Sequence, residues 1–436
     1  MAPEVIGVIF FAIMLLMVLN GIPLFTAMMS TAIVGMWLVS GPKMALLQLA
    51  KAPFSLAASY SYAVLPLFTL VGMLAGETGI AKGAYDAAKA WLSKLRGGLL
   101  YTTVLANAIF GACSGIGTAG SIIFSKIALP ELESNGYDRR LSLGCICGAS
   151  SLAALIPPSI PIVMYCLLTN YSIGTTLMCG LGAGILQVIV TFGVIKVTSL
   201  ISPQKIPPVR EEDKHVPLKD KVRSLKLLIP ILLLFALIIG GTFAGWFHST
   251  VGGPIGAVAV IIYAICKRIP AKRILAGAWE GGHVFAGIYP IIIAGTIFSR
   301  FVSMSGMPAY VIRLLTSTSL PPWGIYLLVI VYFLICGCIM DIVATIIISV
   351  PVVFPLLVDT LGYNPYALVI VLVMISNIAS LTPPVGMGVF TVSNATRIPS
   401  AEIFKGVTPF FFAQLIVCLI VAFVPQLIMV IPNLLS

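Results

Sequence analysis

One carboxylate stands out in this sequence because it lies inside a long apolar stretch. Asp341 is the only charged residue within positions 326–357. An ionisable group at membrane depth is costly, and such residues usually serve ion or substrate pathways. A hard cation such as Na⁺ would compensate the charge of Asp341. The alternatives are a proton carrier and a structural aspartate that forms a salt bridge or reaches the membrane surface.

Glycines and prolines interrupt the apolar sequence at four places. Segment 110–120 contains four glycines and is followed by Lys126 and Glu131, too soon for a second full crossing. Each glycine weakens a helix by about 1 kcal/mol. We therefore predict two re-entrant hairpins, at 98–130 and 324–358, with turns at 114–118 and 337–341.

Two proline pairs follow these hairpins and should unwind the next helices. They are Pro157-Pro158 and Pro383-Pro384, and each proline removes a backbone donor and clashes with the preceding turn. Irregular backbone at membrane depth is tolerated only where it is buried in protein or lines a cavity. Freed helix N-termini can bind an anion, and freed carbonyl groups can bind Na⁺.

These interruptions define the predicted binding residues. Those predicted to contact a substrate are Ser114, Gly115, Thr118, Pro157, Ser159, Arg300 and Pro383. Those predicted to bind Na⁺ are Ser114, Gly115, Ser150, Ser151, Gly337, Asp341, Thr345, Asn377 and Thr382. Arg300 is proposed to pair with a substrate carboxylate, and its alternative role is to anchor a helix at the membrane interface.

Composition indicates that membrane helices position these residues. Of the 436 residues, 59% are hydrophobic and 9% are charged, whereas soluble domains carry about 25% charged residues. We predict an all-α polytopic membrane protein with about ten transmembrane helices plus the two hairpins. The predicted spans are 5–19, 24–39, 61–77, 141–168, 176–199, 227–246, 252–266, 284–303, 365–395 and 407–433.

The distribution of Lys and Arg predicts the orientation. If both hairpins return to the side they entered from, all but four of the 25 basic residues lie on one side. The exceptions are Lys43, Lys51, Arg300 and Arg313. The positive-inside rule then places the N- and C-termini outside the cytoplasm. The net charge of +11 is explained by this bias without a nucleic-acid partner.

The interruptions occur twice at the same spacing. Gly111 precedes Pro157 by 46 positions, and Gly337 precedes Pro383 by 46. In the predicted topology the two copies are inverted, as in secondary transporters. The predicted organisation is N-terminal scaffold helices (1–60), first repeat (61–175), scaffold helices with a cytoplasmic linker at 202–226 (176–283), second repeat (284–400) and a C-terminal scaffold helix (401–436).

The motifs together resemble a known family. The runs Ser114-Gly115, Ile156-Pro157-Pro158-Ser159-Ile160, Met340-Asp341 and Thr382-Pro383-Pro384-Val385-Gly386 are similar to the large membrane subunit of tripartite ATP-independent periplasmic (TRAP) transporters. The resemblance covers essentially the whole chain. Many relatives have a second serine after the Ser-Gly pair of the first hairpin, whereas this sequence has Ile116-Gly117-Thr118, and Thr118 is the expected substitute.

The resemblance implies function and partners. It implies Na⁺-driven import of a small organic acid, such as a sialic acid or a C4-dicarboxylate, across the bacterial inner membrane by an elevator mechanism. It also implies a small four-helix membrane subunit and a periplasmic substrate-binding protein. Na⁺ is the coupling ion, and no cofactor is expected.

Other functions fit the sequence less well. A stand-alone Na⁺- or H⁺-coupled di- or tricarboxylate carrier would share the broken helices but need no binding protein. An intramembrane enzyme would need a catalytic or metal cluster, and the sequence shows neither a Ser/His/Asp set nor an H-E-x-x-H motif. The sequence also contains no P-loop, so ATP is not expected to drive transport directly. The nine cysteines are predicted to be small buried side chains, and the apolar N-terminus is predicted not to be a cleaved leader.

Overall fold

The fold of the described residues is helical throughout. A computed structural model describes residues 1–211, 217–247, 251–318, 320–383 and 386–435. Pro384 and Val385, part of the second predicted proline motif, lie outside the described residues, as do positions 212–216 of the predicted linker.

The α-helices are numbered here in chain order. They are α1 Pro3–Leu19, α2 Leu24–Ser40, α3 Pro42–Ala57, α4 Val64–Glu77, α5 Ile80–Leu92, α6 Gly98–Ser114, α7 Gly117–Ser134, α8 Arg139–Ser150, α9 Ile160–Thr169, α10 Ile173–Ile201, α11 Leu218–Ser224, α12 Ile229–Phe235, α13 Gly241–Phe243, α14 Gly252–Cys266, α15 Ala271–Met304, α16 Met307–Thr316, α17 Pro322–Ile339, α18 Ile342–Phe354, α19 Pro365–Ala379, α20 Met387–Thr396, α21 Ser400–Phe423 and α22 Gln426–Leu435. Short 3₁₀ turns occupy Tyr60–Ala63, Ser151–Ala154, Pro203–Lys205 and Leu225–Leu227, and π-helical turns occupy Ala236–Gly240 and Pro355–Thr360.

Several of these helices are long and apolar enough to cross a membrane. Within the described part of the chain, length and composition give five such helices, or up to seven if two bent pairs each count as one span. Six further apolar helices have 10–17 residues. The five include Pro322–Ile339 and Ile342–Thr360, so the predicted count of about ten spans and the re-entrant path of 324–358 stay predictions.

The helix boundaries differ in detail from the predicted spans. Helices α3, α5 and α16 lie in segments that the hydropathy pattern left outside the spans. Each has charged or polar residues on one face, and these lower the average hydropathy of the segment although the other face is apolar. The predicted span 407–433 divides between α21 and α22 near Pro425. The predicted span 227–246 is interrupted by a π-helical turn and ends in the short α13.

The four predicted helix breaks are present. The first helix pair, α6 and α7, is interrupted at Gly115 and Ile116, and the second helix pair, α17 and α18, at Met340 and Asp341. The helix carrying the first proline pair separates into α8, a 3₁₀ turn and α9, which we call the first broken helix. The second broken helix consists of α19 and α20. The breaks fall where glycine and proline weaken helical hydrogen bonding.

Backbone geometry shows the internal repeat beyond the sequence motifs. Gly136 and Gly362, 226 positions apart, both have positive φ, at 81° and 73°. Each stands two residues before the N-cap of the following helix, Asp138 for α8 and Asn364 for α19, and both side chains accept hydrogen bonds from that helix. The two copies therefore enter their broken helices through the same turn.

The two copies interlock in the core. Helix α9 of the first broken helix packs against α18, and α20 of the second broken helix packs against α7. The 34-residue helix α15 lies beside this unit, since it contacts α18 as well as α2 and α4. Each broken helix is thus held by the helix pair of the opposite copy.

Part of the predicted linker is packed against the first copy. Arg96 donates a hydrogen bond to the Pro203 carbonyl (3.1 Å), and Arg210 donates one to the Ser134 carbonyl (3.0 Å). Ile206 between them is fully buried. The described residues 202–210 therefore form a strap rather than a free connection.

Candidate functional site

The four helix breaks meet at one cavity. Its volume is about 280 Å³. The walls come from both helix pairs, both broken helices and α15. The lining residues are Gly115, Ile116, Gly117, Thr118, Ser121, Cys147, Ser150, Ser151, Ala154, Ile160, Pro161, Val284, Ile288, Ile291, Met340, Asp341, Ile342, Val343, Asn377, Ser380, Met387 and Gly388.

Four helices begin at this cavity. The first residues of α7, α9, α18 and α20 all belong to its lining. A helix N-terminus carries about half a positive charge and several unpaired N–H groups, and it is a natural site for a carboxylate or phosphate. These helix ends therefore contribute positive potential to the cavity, and no Lys, Arg or His is among the described residues that line it.

Among the described residues of the lining, Asp341 is the only charged one. It caps α18, because its Oδ2 accepts a hydrogen bond from the Val343 amide (3.0 Å). Its own carbonyl oxygen accepts a hydrogen bond from the Thr345 hydroxyl (3.0 Å). One carboxylate oxygen is thus engaged with the helix, while the residue faces a space lined by other oxygen-bearing side chains.

The first broken helix is tied down by a residue that sequence reasoning missed. Gln414 on α21 is buried, and its amide nitrogen donates to the Gly148 carbonyl (3.0 Å) and to the Ser151 hydroxyl (2.8 Å). The Ser150 hydroxyl shares a hydrogen bond with that of Ser121 (2.7 Å). The two cavity serines are therefore oriented from opposite sides.

Replacing Gln414 should disturb these serines. We expect Gln414→Leu to raise the Na⁺ concentration for half-maximal uptake about tenfold, because losing a partner of a buried polar group costs about 1–3 kcal/mol. Na⁺ titration of uptake in proteoliposomes measures this. Gln187→Leu is the matched control, since Gln187 is equally buried on α10 but its amide nitrogen donates to Thr191 of the same helix, away from the cavity lining. Equal shifts in both variants would contradict a specific role for Gln414.

The second broken helix brings an amide to the cavity. Asn377 is buried, and its Nδ2 has no hydrogen-bond partner. The main-chain carbonyl of Asn377 accepts a hydrogen bond from the Ser380 hydroxyl (2.7 Å), and Ser380 also lines the cavity. Asn377 occupies the place that Ser151 occupies in the first copy, 226 positions earlier. An amide side chain can present its oxygen to a cation or its nitrogen to a carboxylate.

Six of the predicted site residues line the cavity, and the other eight lie outside its lining. The six that line the cavity are Gly115, Thr118, Ser150, Ser151, Asp341 and Asn377. The predicted residues outside the lining are Ser114, Pro157, Ser159, Arg300, Gly337, Thr345, Thr382 and Pro383.

Three residues of the second group contact the backbone or side chains next to the helix breaks. Ser159 caps α9 and donates to the Ala154 carbonyl (2.5 Å), and Thr382 pairs with Cys338 (2.8 Å). Gly337 lies close to Ser376, where a Cβ would come within 3.2 Å of its Cα. Arg300 is directed elsewhere, since its guanidinium donates to the Gln48 side chain of α3.

The sequence did not reveal the apolar wall of the cavity. Val284, Ile288 and Ile291 of α15 form it, together with Ile116 and Ile342 at the two helix breaks. The three α15 residues recur at the spacing of one helix face. This spacing indicates an apolar helix face, but it does not indicate which other helices the face contacts.

Cysteine does not form a metal cluster in the described residues. All nine cysteines are free; eight are buried and Cys266 is exposed, which corrects the prediction for Cys266. Within the described ranges no group of three or more His, Cys, Asp or Glu side chains could hold a metal ion.

Comparisons with known proteins agree with the motifs. A family model described as the tripartite ATP-independent periplasmic transporter, DctM component, matches residues 10–427. The C4-dicarboxylate TRAP transporter large permease protein DctM of Pseudomonas aeruginosa is 29% identical over 87% of this chain and 88% of its own length. The ectoine TRAP transporter large permease protein TeaC of Halomonas elongata is 25% identical over 95% of this chain and 96% of its own length.

A solved structure has a similar fold. The YdaH transporter of Alcanivorax borkumensis superimposes with a TM-score of 0.51, at 12% sequence identity, over 97% of this chain and 99% of that chain. At that identity the similarity concerns the fold.

Proposed function

The chain belongs to the DctM component family of tripartite ATP-independent periplasmic transporters, and on that basis we propose that a Na⁺ gradient drives its import of a small organic acid. The family is a transporter permease of the multi-pass inner-membrane type. Its members work with a small membrane subunit and a periplasmic binding protein. Substrate, coupling ion and mechanism are the proposed elements.

The observation that carries the proposal is the charge pattern of the cavity. Four helix N-termini favour an anion, and Asp341 favours a cation. Each charge is costly to bury alone and much less so beside its opposite. A carboxylate and Na⁺ that enter together would neutralise each other and the site, which is a physical basis for coupled binding.

The proposed Na⁺ ligands are the oxygen-bearing groups of this lining. Asp341 and Asn377 belong to the second copy, and Ser150 and Ser151 to the first. Hard cations prefer oxygen donors, including backbone carbonyl groups. Gly115 and Thr118 at the first break are the proposed substrate contacts.

An elevator movement is the proposed mechanism. The two helix pairs and the two broken helices pack on one another across the copies, which favours movement as one body. The face of α15 toward the cavity is apolar and consists of Val284, Ile288 and Ile291. Apolar side chains without hydrogen bonds allow such a unit to slide past α15. The N- and C-termini are proposed to be periplasmic.

The substrate is proposed to be a carboxylate, with a C4-dicarboxylate, an ectoine-like solute and a sialic acid as the compounds to test. The first two are the compounds in the names of the relatives. The alternative is a stand-alone carrier that needs no binding protein.

Reconstitution tests the proposal directly. Proteoliposomes that contain the chain and its small membrane subunit are supplied with the cognate binding protein and labelled organic acids. We expect uptake of one acid only when the binding protein and an inward Na⁺ gradient are both present. Uptake without the binding protein would support the stand-alone carrier, and uptake that ignores Na⁺ would contradict the proposed coupling.

A further inference from the structure

A row of polar side chains leads from the cavity into the interior of the first helix pair. On α6 it contains Ser114, Asn107 and Thr103, which lie on one face of the helix. On α7 it contains Ser121 and Ser125, one turn apart. All five are buried, with no more than 5% of any side chain exposed. We call these residues the polar row.

The polar row joins the cavity at its inner end. Ser121 lines the cavity and shares its hydrogen bond with Ser150 of the first broken helix. One residue earlier, Gly120 leaves room for the Asn107 side chain, because a Cβ there would lie 2.9 Å from Asn107 Oδ1 and 3.4 Å from Ser150 Cβ. Asn107 therefore sits directly behind the cavity serines.

The other end of the polar row reaches a charged surface. Tyr85 of α5 lies close enough to the side chains of Thr103 and Glu131 to interact with both. Glu131 in turn forms an ion pair with Lys89. From Ser114 to Thr103 the helix rises about 16 Å, which is about half the thickness of the hydrocarbon core.

The polar row holds half of the unsatisfied polar atoms in the described part of the chain. Six buried side-chain atoms there lack a hydrogen-bond partner, and three of them belong to the polar row: Asn107 Oδ1, Ser114 Oγ and Ser125 Oγ. Each unsatisfied buried group costs about 1–3 kcal/mol. Water or a cation in contact with these oxygens would remove that cost.

The second copy shows that packing alone does not require these residues. At the positions 226 residues later, the equivalents of Thr103, Asn107, Ser114, Ser121 and Ser125 are Val329, Phe333, Met340, Ile347 and Pro351. All five are apolar, although the second helix pair has the same break and packs against its own broken helix. The polar row is therefore a property of one copy and serves something other than folding.

We propose that the polar row is a hydrated path by which the coupling cation moves between the cavity and the Lys89 end of the first helix pair. Its oxygens suit a hard monovalent cation, and its residues are almost fully buried, so the larger organic acid is proposed not to enter it. Cation and substrate then leave the cavity by different routes. This inference rests on the proposed Na⁺ coupling.

The test measures cation release without substrate or binding protein. Purified permease with its small membrane subunit is loaded with ²²Na⁺, and release is followed after dilution into unlabelled Na⁺. We expect Asn107→Leu, which keeps the shape but removes the oxygen, to slow release about tenfold or more, as loss of one hydrogen-bonding group from an ion's path would. Equilibrium binding of ²²Na⁺ should stay within about twofold of the wild type.

Two variants guard against a purely structural effect. Asn107→Asp restores an oxygen and should restore release, and Thr102→Val removes an equally buried hydroxyl on a different face of α6 and should not slow it. If Asn107→Leu does not fold, Ser125→Ala removes a single unpartnered hydroxyl and should slow release in the same direction. Unchanged release in a folded Asn107→Leu or Ser125→Ala protein would overturn the path. A wild type that binds no ²²Na⁺ would overturn both the path and the proposed coupling.

Discussion

Asp341→Asn is expected to lower Na⁺-dependent uptake by at least about a hundredfold while the protein still inserts into the membrane. The substitution keeps the shape of the side chain and its ability to cap α18, where Oδ2 accepts from Val343, but it removes the charge. A charge pair at about 4 Å is worth about 4 kcal/mol at an effective dielectric constant of about 20, and each 1.4 kcal/mol is about tenfold in affinity.

The measurement is Na⁺-driven uptake in proteoliposomes that contain equal amounts of folded variant and wild type. Asp359→Asn is the control, because Asp359 is exposed in the π-helical turn that follows α18. It should behave as wild type. Sodium-coupled uptake at a normal rate by Asp341→Asn would remove this carboxylate from the mechanism.

Gly115→Ala is expected to abolish most transport and to lower thermal stability. Gly115 ends α6 with φ +62°, a conformation that costs a residue with a Cβ about 1–2 kcal/mol. Its Cβ would also fall on the carbonyl oxygen of Pro158, in the first broken helix. The tip of the first helix pair would have to move away from that helix, and the cavity between them would change shape.

A second glycine distinguishes the effect of backbone strain from the effect of the contact with Pro158. Gly136 has φ +81°, and a Cβ there would meet nothing within 4 Å, so Gly136→Ala carries only the backbone term. Melting temperature from tryptophan fluorescence and uptake per folded protein measure both variants. If Gly115→Ala transports as well as Gly136→Ala, the close approach of the tip to Pro158 is not needed for function.

The sequence predicted the helix breaks because their causes are local. Glycine and proline act on the hydrogen bonds of their own helical turn, and so the breaks at Gly115, Met340 and both proline motifs could be located without a structure. The isolated carboxylate Asp341 was equally visible, because its cost depends on the apolar sequence around it. The repeat spacing then paired these features across the two copies.

Hydropathy was less informative about amphipathic and interrupted helices. Helices α5 and α16 each lie near the end of a longer apolar helix and carry polar faces, so a window average reads them as loops. The same average joined α21 and α22 into one span, because both are apolar and the break near Pro425 is short.

By itself, then, the sequence determined the family, the helical membrane class and the positions of the breaks, since these follow from composition and from interactions within one turn of helix. Only the tertiary structure decided which side chains face one another. Gln414 meets Ser151 from 263 positions away, the apolar wall of α15 comes from a third part of the chain, and Arg300 is directed to Gln48 instead of the cavity. Such contacts depend on how the two copies pack, and neither hydropathy nor helix propensity contains that information.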